Sequence, residues 1–520
     1  MKVVIDMKQN IKLLIWVILD IIIALVVRYL FELGYIYLQD YLDWTISFRM
    51  ISRSFLTFIV VLIWLAIVLR SEHTTSKLPW LIFLTLEPFI GLALFLTFGR
   101  SYMNSYRYRS KPLSKPGEYL LREPKTNFNH KSYLAIDSEI TDIYKAAFNS
   151  TNHHAYLNSN RIEILRDGEN KFNSLIKDLK SAKTFILMQY YIIRTDEIGT
   201  EILDILKEKA MDNVAVYLLY DAIGSVFLDK EYIKSLKKAK IKVVKNEPVF
   251  FGFFNTKINY RNHRKITVID GRKGYMGGMN LGDEYRNTIS PFGHFRDTHL
   301  KIEGSGVKSL TQLFFRDWYT NTKKFINEDV FYPDYKVQSK GLLQIVPSGP
   351  EYKNPPIRNM YVKMINNAKK SIKIMTPYIA LDQELLTSLI IACKSGVKID
   401  IIVPGIPDKK SVYIVTKSFI HELLEEGINV HVYTKGFTHA KVFIIDDHLA
   451  SCGTYNLDNR SARINFEVTA LLYGAPVADL VKDFDDDLLE SEIQVESVWN
   501  KRSLPSRLIE GLFNLFSPLV

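Results

Sequence analysis

The sequence predicts an α/β protein: two similar domains, each a mixed sheet flanked by helices, preceded by N-terminal transmembrane helices. Three observations carry this expectation. Strand-like runs alternate with helical stretches past residue 150. One short motif recurs 176 residues further along the chain. Ile, Leu, Val, Phe and Trp are concentrated in the first hundred residues.

A length of 520 residues exceeds what one core serves. With 47% hydrophobic and 24% charged residues the composition is that of a globular protein, which excludes wholesale disorder. The mean hydropathy of -0.01 averages an apolar lead and a globular remainder. Cys393 and Cys452 are the only cysteines, too few for a disulfide scaffold or a cysteine-held zinc.

Residues 1–100 read as a membrane anchor. Residues 79–98 are mostly apolar and long enough to cross a hydrocarbon core, with Glu87-Pro88 interrupting them and the proline expected to kink the helix. Residues 55–69 are free of charge, with Arg53 and Arg70 placed to snorkel at the ends. The run 13–27 carries Asp20 and is either a third span or an interfacial helix; no small-residue cleavage site follows it. Residues 101–150 form a basic juxtamembrane linker. Between Arg100 and Lys131 eight basic residues face only Glu118 and Glu123, supplying six of the net charge of +11. Such a stretch either binds the anionic cytoplasmic leaflet or fixes topology as a stop-transfer flank. Both readings put the C-terminal part in the cytoplasm of a multi-pass cell-membrane protein. The adjoining apolar segment makes lipid a better partner than nucleic acid.

The globular part divides into domains at 151–340 and 341–520, with the polar break at 338–341 between them. In the first, a strand from Phe185 is followed by a helix near Gly199 and a strand over 214–220. In the second, a strand from Ile372 is followed by a helix over 383–394 and a strand over 397–403. The duplication is sharpest at His263-Arg264-Lys265 through Asp270, then Gly277-Gly278-Met279-Asn280, and at His439-Ala440-Lys441 through Asp446, then Gly453-Thr454-Tyr455-Asn456. The matching His, Lys, Asp, leading Gly and Asn are each 176 residues apart. A core strand alone would not require those polar identities.

A strand would put His and Lys of each motif on one face. A nucleophilic imidazole beside an ammonium suits attack on a phosphodiester, and Asn280 and Asn456 are placed to donate to the same oxygens. Two copies around one phosphate would let one histidine attack while the other protonates the leaving alkoxide. The lysines supply the charge, so no metal or other cofactor is required. Asp270 and Asp446 close strands before turns, and a turn role stands beside a catalytic one. Cys452 reads as a small buried strand residue. His153, His154, His294, His299 and His431 show no metal-ligand spacing and read as structural or surface residues.

Paired HxKxxxxD motifs followed by GGxN or GTxN resemble the phospholipase D superfamily. The stretches 259–265, 346–350, 376–378 and 436–441, with the apolar lead ending at 98–100, are similar to its bacterial cardiolipin synthase branch. The resemblance implies two phospholipase D-like domains and an enzyme that joins two phosphatidylglycerol molecules into cardiolipin, releasing glycerol. It implies that His263 forms a phosphohistidine and that His439 acts as acid and then base. It also implies a carboxylate about thirty residues downstream hydrogen-bonding each histidine; Asp297 and Glu467 match, at 34 and 28 residues. The expected partners are phosphatidylglycerol, other anionic phospholipids and the membrane. A hydrolytic phospholipase D, or another phosphatidyltransferase, shares the same motifs. A nuclease would need neither spans nor internal duplication, and a non-catalytic scaffold would not be expected to keep both His-Lys pairs. The aromatic run 249–254 is either a headgroup-dipping loop or core. The amphipathic stretch 504–519 reads as a docked terminal helix.

Overall fold

The computed structural model describes residues 45–69, 74–98, 137–246, 260–288, 291–326, 328–515 and 517, with Val26 and Tyr29 before them. The run 13–27 apart from Val26, the basic stretch 100–131 and the aromatic run 249–254 lie outside the described residues. The described residues fall into two units, one within Met1–Arg107 and the other within Tyr108–Pro248 and Tyr260–Pro518.

In the first unit the helix Thr45–Val68 is followed by Thr74–Leu86 and Pro88–Phe98. Ile67 packs with Trp80, Leu81 and Leu84, and Trp64 Nε1 donates to Thr85 Oγ1 at 3.3 Å, which holds the first two helices together. The expected segment 79–98 is divided at Glu87. Pro88 has no N–H to return to Leu84, while Glu87 N–H still reaches Phe83 O at 3.0 Å and Gly91 N–H reaches Glu87 O at 2.7 Å. Gly91 is needed there, because a Cβ would lie 2.6 Å from Phe83 O. Among the described residues no helix is long and apolar enough to cross a membrane.

The second unit contains two sheets built on one plan. The seven-stranded sheet runs Asn160–Arg166, Thr298–Gly304, Lys273–Gly277, Ile266–Ile269, Phe185–Tyr190, Ala215–Asp221, Lys242–Asn246. The nine-stranded sheet repeats that order as Leu342–Ser348, Glu467–Tyr473, Leu449–Gly453, Val442–Ile445, Ser371–Met375, Lys398–Pro404, Asn429–Tyr433. It adds Ala155–Leu157 at one edge and Ser491–Ile493 at the other. Both are mixed: Phe185–Tyr190 pairs parallel with Ala215–Asp221 and antiparallel with Ile266–Ile269, and Ser371–Met375 does the same with its two neighbours.

Each parallel step needs a crossover, and an amphipathic helix supplies it. Glu197–Met211 is N-capped by Asp196 through Gly199 N–H and buries Ile198, Ile202, Leu203 and Leu206, spaced for one face. Gln383–Lys394 is capped by Asp382 through Leu385 N–H and buries Leu385, Leu386 and Leu389. Helices Val307–Thr322 and Val477–Leu489 share one apolar core with both sheets, in which Phe314 and Phe484 meet Leu187 and Val268 of one sheet and Ile345 and Ile444 of the other. The sheets are therefore joined by a common core.

The first boundary differs from the expected linker at 101–150. Helix Ser138–Thr151 buries Ile140, Ile143, Tyr144 and Ala147 in the core of the nine-stranded sheet, and Ala155–Leu157 pairs with Leu342–Ser348. The chain thus passes through the second half before entering the first sheet at Asn160. A periodic apolar face on residues 140–147 cannot say which of two similar sheets it covers.

Candidate active site

Both His-x-Lys motifs occupy the same place, directly before the strands Ile266–Ile269 and Val442–Ile445. The expected strand placement shifts accordingly, since ladder pairing starts one residue after each lysine. The cause is that the chain leading into each histidine pairs with the opposite half. His263 N–H donates to Phe466 O at 3.0 Å, and Phe466 N–H donates to Arg261 O at 2.9 Å. Likewise Gly436–Thr438 pairs in parallel with His294–Arg296, and His439 N–H donates to Arg296 O at 2.6 Å.

Phe466 and Arg296 stand immediately before Glu467 and Asp297, so this pairing delivers each carboxylate to the other half's histidine. His263 Nδ1 lies 3.0 and 3.1 Å from the Glu467 oxygens, and His439 Nδ1 lies 2.6 Å from Asp297 Oδ2. The two carboxylates are structural equivalents: Gly277 pairs with His299 and Gly453 with Thr469, in each case two residues beyond the acid. Their spacings from the histidines differ because the first half has the longer connection after its motif. Glu467 also accepts from Thr454 Oγ1, from Ser461 Oγ at 3.0 Å and from Asn465 Nδ2 at 3.3 Å. Gly278 occupies the place of Thr454, and a Cβ there would fall 2.1 Å from Asp297 Oδ1. The difference between the GG and GT motifs thus follows the carboxylate each one faces.

With Nδ1 engaged, Nε2 is the ring nitrogen left for a substrate. The imidazoles keep 12% and 11% of their side-chain surface exposed, enough to be reached from one side. Tyr191 packs edge-on to His263 at 5.2 Å, while Phe437 stacks on His439 at 5.7 Å. Lys265 Nζ donates to its own motif's His263 O at 2.7 Å, and Lys441 Nζ donates to His439 O.

Burial, reinforced by Lys265, pushes the His263 pKa down against the pull of Glu467. Burial and the charges of Lys441 and Lys265 push His439 well below the usual imidazole value. Burial also lowers both lysines, Lys441 to about 8. Burial alone would raise Glu467, but His263, Lys265 and the Thr454 hydroxyl hold it below the ordinary carboxylate value. Burial raises Asp297 to about 7, against the pull of Lys441 and Arg296. The site is a desolvated pair of imidazoles, both lowered below their usual value, beside two buried lysines, and it suits an anion. Asp297→Asn keeps the shape but cannot hold the same His439 tautomer, and turnover should fall about 10²–10⁴-fold with unchanged folding. Steady-state kinetics on that variant check this.

Asp270 and Asp446 do not join this centre. The strand carries them roughly 16 Å from the lysines, five residues on. Both adopt left-handed backbone, with φ of 52° and 49°. Asp270 accepts from the N–H groups of Lys183, Thr184 and Phe185 at 2.9, 2.7 and 3.0 Å, and Asp446 from those of Lys369, Lys370 and Ser371 at 2.9, 2.7 and 2.8 Å. Each aspartate fixes the entry of the neighbouring central strand, which corrects the catalytic reading in favour of the turn reading. Asn280 is also committed internally: Oδ1 accepts from Ile192 N–H at 3.1 Å, and Nδ2 donates to Tyr285 Oη at 2.6 Å. Asn456 is buried at the equivalent position of the second half.

Sequence reading missed two buried arginines. Arg264 Nε donates to Glu467 O at 3.0 Å, and Arg296 Nη1 donates to Asp297 O at 2.6 Å, so each clamps the backbone of one site carboxylate. Arg264 breaks the repeat, standing opposite Ala440; that asymmetry was the one available signal.

Two duplicated mixed sheets, with paired His-x-Lys motifs served by crossed carboxylates, define a phospholipase D-like protein. A family model described as "Cardiolipin synthase, PLD-like domain" matches residues 175–318 and 361–488. Cardiolipin synthase 2 of Bacillus anthracis is 39% identical over 474 residues, covering 88% of this chain and 90% of that protein. The major cardiolipin synthase ClsA of Bacillus subtilis is 37% identical, covering 89% and 98%. The crystal structure of phosphatidylserine synthase from Haemophilus influenzae shares the fold, with a TM-score of 0.57 at 16% identity over 74% of this chain and all of that one. The chain belongs to the cardiolipin synthase family of phospholipase D-like enzymes.

Proposed function

We propose that the chain transfers a phosphatidyl group between two phosphatidylglycerol molecules, giving cardiolipin and glycerol, through a phosphohistidine at His263. The observation that carries the mechanism is the crossed pairing of each histidine with the opposite carboxylate. The naming of the relatives as cardiolipin synthases supports the substrate. His263 Nε2 attacks the phosphorus of the first lipid; the bond from phosphorus to the headgroup glycerol breaks, and His439 gives the departing oxygen its proton. The hydroxyl of a second phosphatidylglycerol then attacks phosphorus. His439 takes that proton, the phosphorus–nitrogen bond breaks, and cardiolipin leaves. Ionised Glu467 holds the Nδ1 proton of His263 and stabilises the charge that ring gains on attack. Lys265 and Lys441 flank the phosphate oxygens. The bond energy is kept in the intermediate, so no nucleotide is consumed.

The arriving anion offsets the burial that depresses His439 and Lys441, and the lysine charges that add to it at His439, so binding draws a proton onto the site. Lys441, at about 8 when free, loses its proton above that pH, and competitive inhibition by inorganic phosphate should weaken there. The inflection should vanish in Lys441→Met; a wild-type inhibition constant flat through pH 8 would contradict the assignment.

The N-terminal apolar segments anchor the chain in the bacterial cell membrane, with the catalytic unit on the cytoplasmic side. The basic stretch 100–131, which matches the charge of an anionic leaflet, supports this. The mechanism is tested by trapping. Phosphatidylglycerol labelled at phosphorus, mixed with enzyme and quenched in alkali, should leave acid-labile label on the wild-type protein and none on His263→Ala. Equal labelling of both would overturn the assignment of the nucleophile.

A further inference from the structure

The C-terminal helix Leu504–Asn514 is docked through Glu510 and through Phe513, which packs against the core of the nine-stranded sheet. Glu510 is 5% exposed, where it accepts from Arg502 Nη1 and from Ser506 Oγ at 3.3 Å. Beyond the helix, Asn459 Nδ2 donates to Ser517 O at 3.0 Å. The apolar side faces outward: Leu504 is 68% exposed, Leu508 59%, Ile509 48%, Leu512 60% and Leu515 66%. Val495 and Val498, just before the helix, are 51% and 63% exposed. The helix is docked as expected, but its leucines face outward, and Phe516 lies outside the described residues.

A contiguous exposed apolar face of this kind marks an interaction surface. Its charge identifies the occupant. From Val495 to Leu515 the exposed charged residues are Glu496, Lys501 and Arg507, with both cations on or next to the helix, and Glu510 is buried against Arg502. An apolar face bordered by cations fits the boundary between headgroups and acyl chains of an anionic bilayer. A second copy would set the same cations against each other. We infer that this helix lies in the interface of an anionic phospholipid bilayer, with Leu504, Leu508, Leu512 and Leu515 among the upper acyl carbons and Lys501 and Arg507 at the phosphates. This contact rests on the reading of the chain as an enzyme of anionic membrane lipids.

The test uses the full chain reconstituted in vesicles of phosphatidylglycerol and phosphatidylcholine. In a Cys393→Ser background an environment-sensitive fluorophore is placed at Leu508→Cys, with Lys238→Cys as an exposed reference. Doxyl-labelled lipid should quench the first label and leave the second unchanged; equal accessibility of both to water overturns the inference. In parallel, the double variant Leu508→Glu, Leu512→Glu should be about tenfold or more slower on vesicles, yet equal to wild type in mixed detergent micelles. Equal rates on vesicles would overturn the lipid contact and leave the catalytic reading intact. If the wild type makes no cardiolipin, the catalytic reading fails and the quenching result still decides this one.

Discussion

His263→Ala loses turnover to at least about 10⁴-fold below wild type, and His439→Ala is similarly depleted, with the folded state of both preserved. Each imidazole makes one side-chain hydrogen bond, to the carboxylate of the other half. Removing His263 leaves Glu467 still held by Thr454, Ser461 and Asn465 and offset by the Lys265 charge, so no buried charge is abandoned. The two losses differ in kind. His439→Ala lacks only the acid and base, so a phosphatidyl ester with a good leaving group, such as a nitrophenol, should still label His263. His263→Ala should not be labelled by any donor. Steady-state rates and single-turnover labelling of the pair check both statements, and wild-type-like activity in either variant would sink the shared-site mechanism.

Arg264→Met should destabilise the chain by about 3–5 kcal/mol. Arg264 is fully buried, with Asp317 at 2.6 and 2.7 Å, Glu351 at 2.9 Å and Ser348 O at 3.0 Å. The cost is that of a buried carboxylate that loses its hydrogen-bonded cation. Glu351 would keep Arg316 at 2.8 Å, whereas Asp317 would keep hydrogen bonds only from neutral Gln189 and Asn262, with the Arg316 charge acting on it without a hydrogen bond. Adding Asp317→Asn to Arg264→Met should therefore recover part of the loss. Denaturant unfolding of the two variants measures this, and a double variant less stable than the single would show that the network is not governed by the orphaned carboxylate.

The central strands and crossover helices of each half could be read from residue patterns. Phe185–Tyr190, Ser371–Met375 and Gln383–Lys394 fall where apolar runs and helical periodicity put them, because local burial decides such elements. The chemistry was legible where it repeats in register, at His263 with His439 and Lys265 with Lys441. What could not be read was partnership between distant segments. The crossing of Asp297 to His439 depends on the pairing of Gly436–Thr438 with His294–Arg296, which no local pattern encodes. Helix Ser138–Thr151 is similar, since its apolar face fits either of two like cores. Asp270 and Asp446 recur in register for a structural reason, so repetition alone could not separate a strand staple from a catalytic acid. The C-terminal helix shows the opposite limit: amphipathicity was visible, but the helix docks through Phe513 and a buried Glu510–Arg502 pair and leaves its leucines exposed.

The account is tested most directly by product analysis of the purified, detergent-solubilised chain given phosphatidylglycerol alone, in EDTA. The predicted result is cardiolipin with an equimolar amount of glycerol. Phosphatidic acid with glycerol would make water the acceptor and contradict the transferase mechanism, and the absence of any product would contradict phosphatidylglycerol as the donor.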